Sequence, residues 1–301
     1  MIITVTGGAG FIGSHLCDAL APDNDLTVID DLSSGLKSNV GKGARLVVKD
    51  ILSDLSGTLS GSDALFHFAA DPSVQASSDN PGKTFDINVT GTVSVLEACR
   101  KADVRSFVLA SSSAVYGTAK TPTPETSPCF PISNYGASKL AAEAYACAYS
   151  ETYGIRTTVL RYANIFGPRN RHGVIHDLYA KLRSDRTALE VLGSGRQEKS
   201  YMYISDCIGA TRVAWEKQKR PFDVFNIGTT RSTRVDELVR MVSARFRATP
   251  TIIKKEGWKG DVQMMLLDIT KIQSLGYKEQ VGLERGMADY LTWLEKGENH
   301  G

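Results

Sequence analysis

A glycine-rich turn lies between a short apolar segment and a helical pattern close to the start of the chain. Ile2–Thr6 is apolar and β-branched, Gly7-Gly8-Ala9-Gly10-Phe11-Ile12-Gly13 follows at once, and Phe11–Leu20 has helical character. In this G-x-x-G-x-x-G spacing Gly7 permits a tight turn, Gly10 lets backbone approach a pyrophosphate, and Gly13 lets the helix pack closely on the strand. The first amides of the helix would then meet the phosphates. The order of strand, turn and helix predicts a dinucleotide-binding unit.

The rest of the chain alternates short apolar β-branched runs with longer helical patterns. Continuous apolar strands separated by helices are typical of a parallel sheet covered on both faces. We therefore predict an α/β fold, a Rossmann-type doubly wound parallel sheet with a smaller C-terminal substrate-binding lobe. We expect residues 1–165 to form the dinucleotide-binding domain, with segments near 201–228 returning to it, and residues 166–301 to form the lobe. The predicted strands are 2–6, 26–30, 45–49, 64–68, 106–110, 157–162 and 224–227, and the predicted helices are 11–20, 82–102 and 135–153.

An acidic residue closes the second predicted strand. Asp30 follows Gly13 by 17 positions, where a carboxylate can accept hydrogen bonds from both hydroxyls of the adenosine ribose and would repel a 2′-phosphate. No Arg follows directly, because the next residue is Asp31. The sequence therefore predicts NAD rather than NADP as the cofactor.

A tyrosine and a lysine lie four residues apart at the start of the third predicted helix, in Asn134-Tyr135-Gly136-Ala137-Ser138-Lys139-Leu140. Residues i and i+4 share one helix face, so a phenol and an ammonium group are held side by side. A free phenol titrates near pH ~10, and a neighbouring cation is expected to lower its pKa toward the range that acid–base catalysis needs. Such a pair is common on surface helices, and it becomes informative here because of the dinucleotide turn upstream.

The charge balance and the cysteines restrict the ligands and the compartment. The 301 residues include 35 Lys and Arg against 33 Asp and Glu, which gives no electrostatic case for nucleic acid or for an anionic membrane surface. No apolar run reaches the length of a membrane span or of a signal-peptide core. Scattered cysteines without metal-ligand spacing are typical of a reducing cytosol, so we expect a cytoplasmic protein without a metal site. These cysteines are Cys17, Cys99, Cys129, Cys147 and Cys207.

Taken together, these motifs resemble those of the extended short-chain dehydrogenase/reductase family over nearly the whole chain. Within the family the chain is most similar to nucleotide-sugar epimerases of the UDP-glucose/UDP-galactose 4-epimerase type. The segments that carry the family resemblance are 6–13, Asp50-Ile51, His67-Phe68-Ala69-Ala70, Ile87-Asn88-Val89-Thr90-Gly91-Thr92, Ser111-Ser112-Ser113-Ala114-Val115-Tyr116-Gly117, 135–139 and Arg161-Tyr162-Ala163-Asn164. The segments that resemble the archaeal-like version are Gly173-Val174-Ile175, Lys199-Ser200-Tyr201 and Gly257-Trp258-Lys259-Gly260-Asp261-Val262.

The resemblance implies roles for individual residues. Ser112, Tyr135 and Lys139 would be the catalytic trio, although Ser111 or Ser113 could share the role of Ser112. The residues implied to bind NAD are Gly7, Gly10, Phe11, Ile12, Gly13, Asp30, Asp31, Leu32, Ser33, Ser34, Gly35, Asp50, Ile51, Phe68, Ala69, Ala70, Asn88, Ser111, Tyr135, Lys139 and Ala163. The residues implied to bind a UDP-sugar substrate are Ser112, Tyr135, Asn164, Leu192, Lys199, Tyr201, Asp261 and Met265.

The resemblance also bears on the type of reaction. Epimerisation at C4, 4,6-dehydration and decarboxylation all begin on this scaffold with hydride transfer from the sugar to NAD. Dehydratases carry Asp-Glu directly after the catalytic hydroxyl, and decarboxylases usually retain the Glu, whereas this chain has Ser113 and Ala114. Neither can act as a carboxylic acid, which favours a 4-epimerase that interconverts UDP-galactose and UDP-glucose. A dehydratase or decarboxylase is the alternative among enzymes, and a non-catalytic NAD-binding sensor is the alternative outside them.

Several positions depart from the better-known epimerases or bear on the choice of sugar. Lys199-Ser200 replaces Arg-Asp, which keeps a positive charge and loses the bidentate fork. Trp258 replaces an Arg, so one phosphate-binding cation is either missing or replaced by Lys259. Met265 lies where these enzymes carry a gate against substituents at C2, and its intermediate size favours UDP-glucose and UDP-galactose while leaving N-acetyl forms open.

The remaining polar residues that attract notice have structural interpretations. His67 ends an apolar strand and is expected to be a packed, hydrogen-bonded side chain near the cofactor. Arg169 and Arg171 either contact phosphate or belong to a solvated loop. His172 and His176 have no carboxylate at ligand spacing, so no metal is assigned to them.

The two long predicted helices carry apolar residues on more than one face. Family resemblance predicts a homodimer whose subunits pair through these helices as a four-helix seam, and the alternative is that the faces pack only within the monomer. The residues predicted for the seam are Val93, Leu96 and Ala98 on the first helix and Leu140, Ala144 and Cys147 on the second.

Overall fold

The structure is a computed structural model that describes residues 1–257 and 262–297. Its strands are β1 Ile2–Thr6, β2 Asp25–Asp30, β3 Ala44–Val48, β4 Ala64–His67, β5 Ser106–Ser112, β6 Arg156–Tyr162, β7 Asn164–Phe166, β8 Ala188–Leu192, β9 Glu198–Lys199, β10 Tyr201–Tyr203, β11 Phe222–Ile227, β12 Thr233–Arg234, β13 Thr251–Lys255 and β14 Met264–Met265. Its α-helices are α1 Phe11–Leu20, α2 Val74–Asp79, α3 Pro81–Phe85, α4 Gly91–Lys101, α5 Asn134–Tyr153, α6 Val174–Ser184, α7 Ile204–Lys217, α8 Val235–Arg245, α9 Thr270–Ser274 and α10 Leu283–Gly297.

Seven parallel strands form the central sheet in the order β11-β6-β5-β4-β1-β2-β3. The chain enters at β1, runs outward to β3, and then crosses back to place β4 on the other side of β1. Ligands of open α/β sheets bind beyond the carboxyl ends of the strands at such a reversal. The predicted Rossmann-type fold is confirmed, and each predicted strand is present within two residues of its expected bounds.

Each face of the sheet covers its own apolar core. On one face α1 and α7 pack together and bury Leu16 and Cys207 against the strands. On the other face α4 and α5 bury Leu96 and Ala146. A third core lies among β8, α6, α8 and α10, around the fully buried Tyr290. Within the described ranges, no helix is long and apolar enough to cross a membrane.

The helix predicted over 82–102 is interrupted. α3 passes into a π-helical turn at Asp86–Thr90 before α4 begins at Gly91. The backbone packs tightly where α4 begins, because a Cβ on Gly91 would lie 2.5 Å from Cδ1 of Ile51. Single π turns inside helices are frequent at functional sites, and this one carries Asn88.

Two of the residues predicted for a dimer seam face the interior instead. Leu96 and Ala98 belong to the core between the sheet and α4–α5, because that face of α4 packs on the strands. Val93, Leu140 and Cys147 are partly covered and Ala144 is exposed. The larger apolar side chains that stay exposed nearby are Phe85 at the end of α3 and Tyr145 and Tyr153 on α5.

Candidate active site

The glycine turn after β1 forms a close-packed cradle at the sheet reversal. Gly7 has φ +69°, and a Cβ there would lie 2.5 Å from the amide nitrogen of Ala69 at the end of β4. A Cβ on Gly13 would lie 2.3 Å from the Gly7 carbonyl oxygen, so only glycine lets α1 approach the turn. Gly10 precedes α1 with no side chain capping the helix, so the first amides at Phe11 and Ile12 remain available to an anion. This arrangement fits a dinucleotide pyrophosphate.

Asp30 connects the end of β2 to this cradle. Its Oδ2 accepts a hydrogen bond from the Ala9 amide at 2.9 Å, and its Oδ1 accepts one from the Leu32 amide at 2.9 Å. Burial raises the pKa of the carboxyl group, and these two hydrogen bonds oppose that effect. Each carboxylate oxygen keeps a further acceptor site, so the group can still receive two ribose hydroxyls.

The remaining residues predicted for the adenosine side lie around Asp30 and the cradle. Gly35 packs against Ala9, where a Cβ would lie 2.9 Å from the Ala9 side chain. Asp31 is exposed and accepts hydrogen bonds from the amide and hydroxyl of Ser33 at 2.9 and 2.7 Å. Ile51 is buried against Gly91. The other members of this group are the exposed Ser34 and Asp50 and the partly buried Leu32, Phe68, Ala69 and Ala70.

Ser112, Tyr135 and Lys139 meet beyond the end of β5. The Ser112 hydroxyl accepts a hydrogen bond from the Ala114 amide at 3.2 Å and shares a second hydrogen bond with the Tyr135 phenol. The Lys139 ammonium nitrogen donates to the Ala110 carbonyl oxygen at 2.9 Å and lies 6.0 Å from the centre of the Tyr135 ring. A hydroxyl, a phenol and an amine thus converge at one edge of the sheet.

The electrostatic balance at Tyr135 differs from the expectation. Burial raises the pKa of the phenol to about 12, while the Ser112 hydrogen bond lowers it and the nearby Asp71 carboxylate raises it. Burial also lowers the pKa of Lys139 to about 8, and the carboxylates of Glu143 and Asp71 oppose that shift. The prediction that Lys139 lowers the phenol pKa is therefore wrong for the chain by itself. Loss of water around both groups outweighs the effect of the neighbouring cation, because desolvation disfavours the charged form of each.

Residues that sequence reasoning did not select hold the start of α5 in place. A Cβ on Gly136 would lie 2.6 Å from the Ala114 carbonyl oxygen, so glycine lets α5 approach the turn after Ser112. The Ser133 hydroxyl caps α5 by accepting from the Gly136 amide at 3.1 Å. The buried Ser77 hydroxyl accepts from the Tyr135 amide at 3.1 Å. The glycine directly after Tyr135 was a signal from which Gly136 could have been predicted. Ser77 gave no such signal, because it lies 58 residues away from Tyr135 in the sequence.

Two residues predicted to bind NAD make hydrogen bonds within the protein. The Asn88 amide nitrogen donates to the Asp71 carbonyl oxygen at 3.0 Å and to Ser138 Oγ at 2.9 Å, and its oxygen accepts from the Asp71 amide at 2.7 Å. The buried Ser111 hydroxyl donates to the Glu143 carboxylate. Asn88 thus links the end of β4 to α5, and Ser111 anchors the end of β5, so neither side-chain donor points freely toward a ligand.

Four of the residues predicted for the substrate, Asn164, Lys199, Tyr201 and Met265, lie on β7, β9, β10 and β14. The backbone and side-chain amides of Asn164 both donate to the Ser200 carbonyl oxygen, at 3.2 and 3.1 Å, and the Ser200 amide donates to the Met265 carbonyl oxygen at 3.0 Å. Ala163 donates its amide to Ile227. Lys199 pairs with Met265 in adjacent strands, Leu192 is exposed at the end of β8, and Tyr201 is largely buried in the third core. Asp261, with Trp258 and Lys259, lies outside the described residues.

His67 and Arg169, which were singled out earlier, have structural partners. His67 is buried between Thr6 and Thr92, with Nδ1 2.7 Å from one hydroxyl and Nε2 3.0 Å from the other, and burial lowers its pKa to about 3. Arg169 forms an ion pair with Asp18 of α1 at 2.7 Å. Among the described side chains, no group of three or more metal-ligating residues comes together.

The fold and the site define an NAD-dependent enzyme of the short-chain dehydrogenase/reductase class. A glycine cradle with an acidic residue after β2 lies at the sheet reversal, and a Ser-Tyr-Lys group stands at the ends of the neighbouring strands. The sequence profile of the NAD dependent epimerase/dehydratase family matches residues 3–228. The chain belongs to this family of nucleotide-sugar enzymes, and NAD is its cofactor.

Relatives in this family align with the chain over almost its full length. A putative UDP-glucose 4-epimerase of Methanocaldococcus jannaschii is 36% identical, in an alignment that covers 98% of each chain. A crystal structure of a UDP-galactose 4-epimerase is 40% identical with a TM-score of 0.91, and 99% of each chain is covered. The UDP-glucose 4-epimerase of Thermotoga maritima, solved with UDP-glucose, is 34% identical with a TM-score of 0.93, covering 99% of this chain and 100% of that one.

Similar structures with other specificities are also known. One is a UDP-N-acetylglucosamine 4-epimerase from Methanobrevibacter ruminantium, which is 28% identical with a TM-score of 0.91 and is covered over 98% of both chains. Another is a UDP-glucuronic acid 4-epimerase from Bacillus cereus in complex with UDP-glucuronic acid and NAD, which is 29% identical with a TM-score of 0.92 and covers 98% of this chain and 99% of that one. The family is therefore established, and the sugar is a separate question.

Proposed function

We propose that this protein is an NAD-dependent 4-epimerase that interconverts UDP-galactose and UDP-glucose. The observation that carries the proposal is the Ser112, Tyr135 and Lys139 group at the end of β5, followed by Ser113 and Ala114. This group supplies a proton acceptor and its supports, and the two following side chains contain no carboxyl group for chemistry at a neighbouring carbon. Epimerisation needs only removal and return of one proton and one hydride at C4.

The protein residues have distinct parts in this reaction. Bound NAD supplies the hydride acceptor and the positive charge of the oxidised nicotinamide. Tyr135 takes the proton of the sugar 4-hydroxyl and later returns it, and Ser112 holds the phenol oxygen by its hydrogen bond. The Lys139 amine, which donates to the Ala110 carbonyl oxygen, would hold the nicotinamide ribose. Asn164, Lys199, Tyr201 and Met265 would hold the nucleotide, so that the sugar itself can turn and present its other face.

Incubating the purified protein with UDP-galactose, with and without added NAD, and following the sugar by proton NMR tests the proposal. Formation of UDP-glucose supports it, whereas unchanged UDP-galactose in both arms refutes it. Formation of a 4-keto-6-deoxy sugar from UDP-glucose would select dehydration instead. Parallel incubations with UDP-N-acetylglucosamine and UDP-glucuronic acid define the sugar. They are needed because the partly buried Met265, the proposed gate at C2, does not by itself decide which sugar is accepted.

We also infer that the protein is a cytoplasmic homodimer serving galactose metabolism. All five cysteines are free, in keeping with a reducing compartment. The exposed fractions of Phe85, Tyr145 and Tyr153 are 55%, 47% and 50%, and these side chains lie at the end of α3 and on α5. Light scattering on the purified protein should give twice the chain mass of 32.6 kDa, and Tyr145→Glu should shift it toward the monomer. A wild-type monomer would contradict this inference.

A further inference from the structure

Three buried polar side chains form a row across neighbouring strands, directly behind the catalytic group. Ser111 on β5 pairs with Arg161 on β6, and Arg161 pairs with Asn226 on β11. All three are buried and lie on the sheet face that α5 covers. Buried polar groups are costly unless they are hydrogen-bonded, so a row of them inside an apolar core calls for partners.

Glu143 of α5 supplies the central partner. Its carboxylate receives a two-pronged contact from Arg161, with Nε 3.0 and 3.2 Å from the two oxygens and Nη2 2.6 Å from Oε2. The Ser111 hydroxyl donates to the same carboxylate. Bidentate contacts of this kind fix geometry as well as charge. The carboxylate therefore ties α5 to the ends of β5 and β6.

The row continues on the far side of Arg161. Its Nη1 donates to the Tyr116 hydroxyl at 2.9 Å, and that hydroxyl donates to the Asn226 side-chain oxygen at 2.7 Å. The Asn226 side-chain nitrogen donates to the carbonyl oxygens of Thr123 and Asp268 at 2.9 and 3.0 Å. A connected buried network of this type rigidifies the elements that it joins.

Lys139 lies one helical turn before Glu143. Residues i and i+4 share a helix face, and the Lys139 amine donates to the carbonyl oxygen of Ala110, the neighbour of Ser111. The other ionisable groups near this amine are Asp71 after β4, the neutral His67 of β4, and Tyr135 on its own helix. The negative charge of Glu143 and that of Asp71 both favour the protonated amine against the effect of burial.

We propose that Glu143 is a positioning residue for the Tyr135–Lys139 pair. Its carboxylate, clamped by Arg161, fixes the end of β5 through Ser111 and stabilises the charged form of the Lys139 amine. The consequence of this positioning for sugar turnover rests on the proposed function. The effect on the Lys139 amine is a property of the chain and can be measured without any sugar.

Titration of the Lys139 amine by carbon NMR tests the proposal directly. The full-length protein is labelled at lysine Cε, and Lys139→Met assigns the signal. In Glu143→Gln we expect the Lys139 midpoint to fall by about one pH unit, a tenfold change in the ionisation constant, because one nearby negative charge has gone. The high-pH limb of the pH profile of kcat should shift to lower pH by the same amount. Glu143→Asp, which keeps the negative charge, should restore both the midpoint and the profile. An unchanged midpoint in Glu143→Gln overturns the proposal.

Two further variants separate positioning from general destabilisation. Ser150→Ala removes a buried hydrogen bond from the same helix, to the Pro221 carbonyl oxygen at 2.9 Å, and should leave the Lys139 midpoint unchanged. Should Glu143→Gln fail to fold because it leaves Arg161 unpaired, the double variant Glu143→Leu/Arg161→Met replaces the pair with apolar groups, which buried pairs often tolerate. Its Lys139 midpoint should also fall, and a wild-type midpoint there would overturn the proposal. A shifted midpoint in a protein that converts no UDP-sugar would refute the proposed function alone.

Discussion

Gly136 offers the sharpest test of how the catalytic group is assembled. This residue directly follows Tyr135 and lies where α5 approaches the turn after Ser112. A methyl group on Gly136 would stand 2.6 Å from the Ala114 carbonyl oxygen and 3.0 Å from the Pro131 side chain. Both neighbours belong to constrained backbone segments, so neither can rotate away, and Gly136→Ala must push α5 and the turn apart.

The size of the displacement follows from these contacts. Cβ atoms hardly ever approach closer than 3.0 Å and ordinarily lie beyond 3.4 Å, so the two segments must separate by about 0.4 to 0.8 Å. The same turn is held to Ser112 by the Ala114 amide, so Ser112 moves with it and away from Tyr135. Because a misplacement of about 1 Å can cost about 100-fold in rate, we expect kcat to fall by roughly 10- to 100-fold, or about 1.4 to 2.7 kcal/mol of barrier. Overpacking should also lower the free energy of unfolding by about 1 to 3 kcal/mol.

The assay compares Gly136→Ala with a helical glycine that has room. Gly209 lies inside α7, and a Cβ there would meet no atom within 4 Å. Gly209→Ala should therefore leave kcat unchanged and raise the free energy of unfolding by up to about 1 kcal/mol. Steady-state epimerisation, urea unfolding and NAD titration on both variants separate the effects, because NAD affinity should be nearly unchanged in each. Wild-type kcat in a folded Gly136→Ala protein would refute the reasoning.

Three further predictions concern single groups. Tyr135→Phe removes the proton acceptor and should lower kcat by about 10²- to 10⁴-fold while UDP binding, measured by calorimetry, persists; near-normal turnover would reject the assignment. Asp30→Asn removes the charge that excludes a 2′-phosphate, so the preference for NAD over NADP in fluorescence titrations should shrink by about tenfold, and an unchanged ratio would contradict that role. His67 is held neutral with its pKa lowered to about 3, below its ordinary value of about 6.5. As the pH falls below about 6.5, the unfolded chain binds a proton at this residue that the folded chain does not, so the free energy of unfolding decreases. Between pH 7 and 5 this loss should be about 2 kcal/mol in urea unfolding, and a His67→Gln protein with the same loss would contradict it.

Short-range patterns were sufficient to predict the sheet and its cradle. β1, β2 and β5 are apolar β-branched runs bounded by turn residues, and such runs have few alternatives in a chain of alternating strands and helices. The glycines of the cradle could be predicted because each packs against backbone that is a few residues away or at a strand end, as Gly13 packs against Gly7. Spacing alone therefore predicted the glycine cradle that the structure places at the sheet reversal.

Contacts between distant parts of the chain could not be predicted in the same way. Ser111 looked like a member of a serine turn facing the cofactor, but its partner is Glu143, 32 residues away. Asn88 lies in a π turn, a rare departure from the 3.6-residue periodicity on which the helix prediction was based. Burial of Leu96 likewise depends on which face of α4 meets the sheet.

The catalytic charges show why such distant contacts matter. Within the chain, burial opposes the phenolate of Tyr135 and the ammonium of Lys139 at once, because desolvation disfavours either charged form. The carboxylates of Glu143 and Asp71 oppose the effect of burial on the pKa of Lys139, whereas Asp71 also raises the pKa of Tyr135, and the Ser112 hydrogen bond alone does not offset burial there. We therefore expect the phenol to act as a base only when a positive charge, such as that of the oxidised cofactor, lies beside it. Proton removal by Tyr135 would then depend on occupancy of the glycine cradle, and we expect the packing around α5, more than the spacing of Tyr135 and Lys139, to set that dependence.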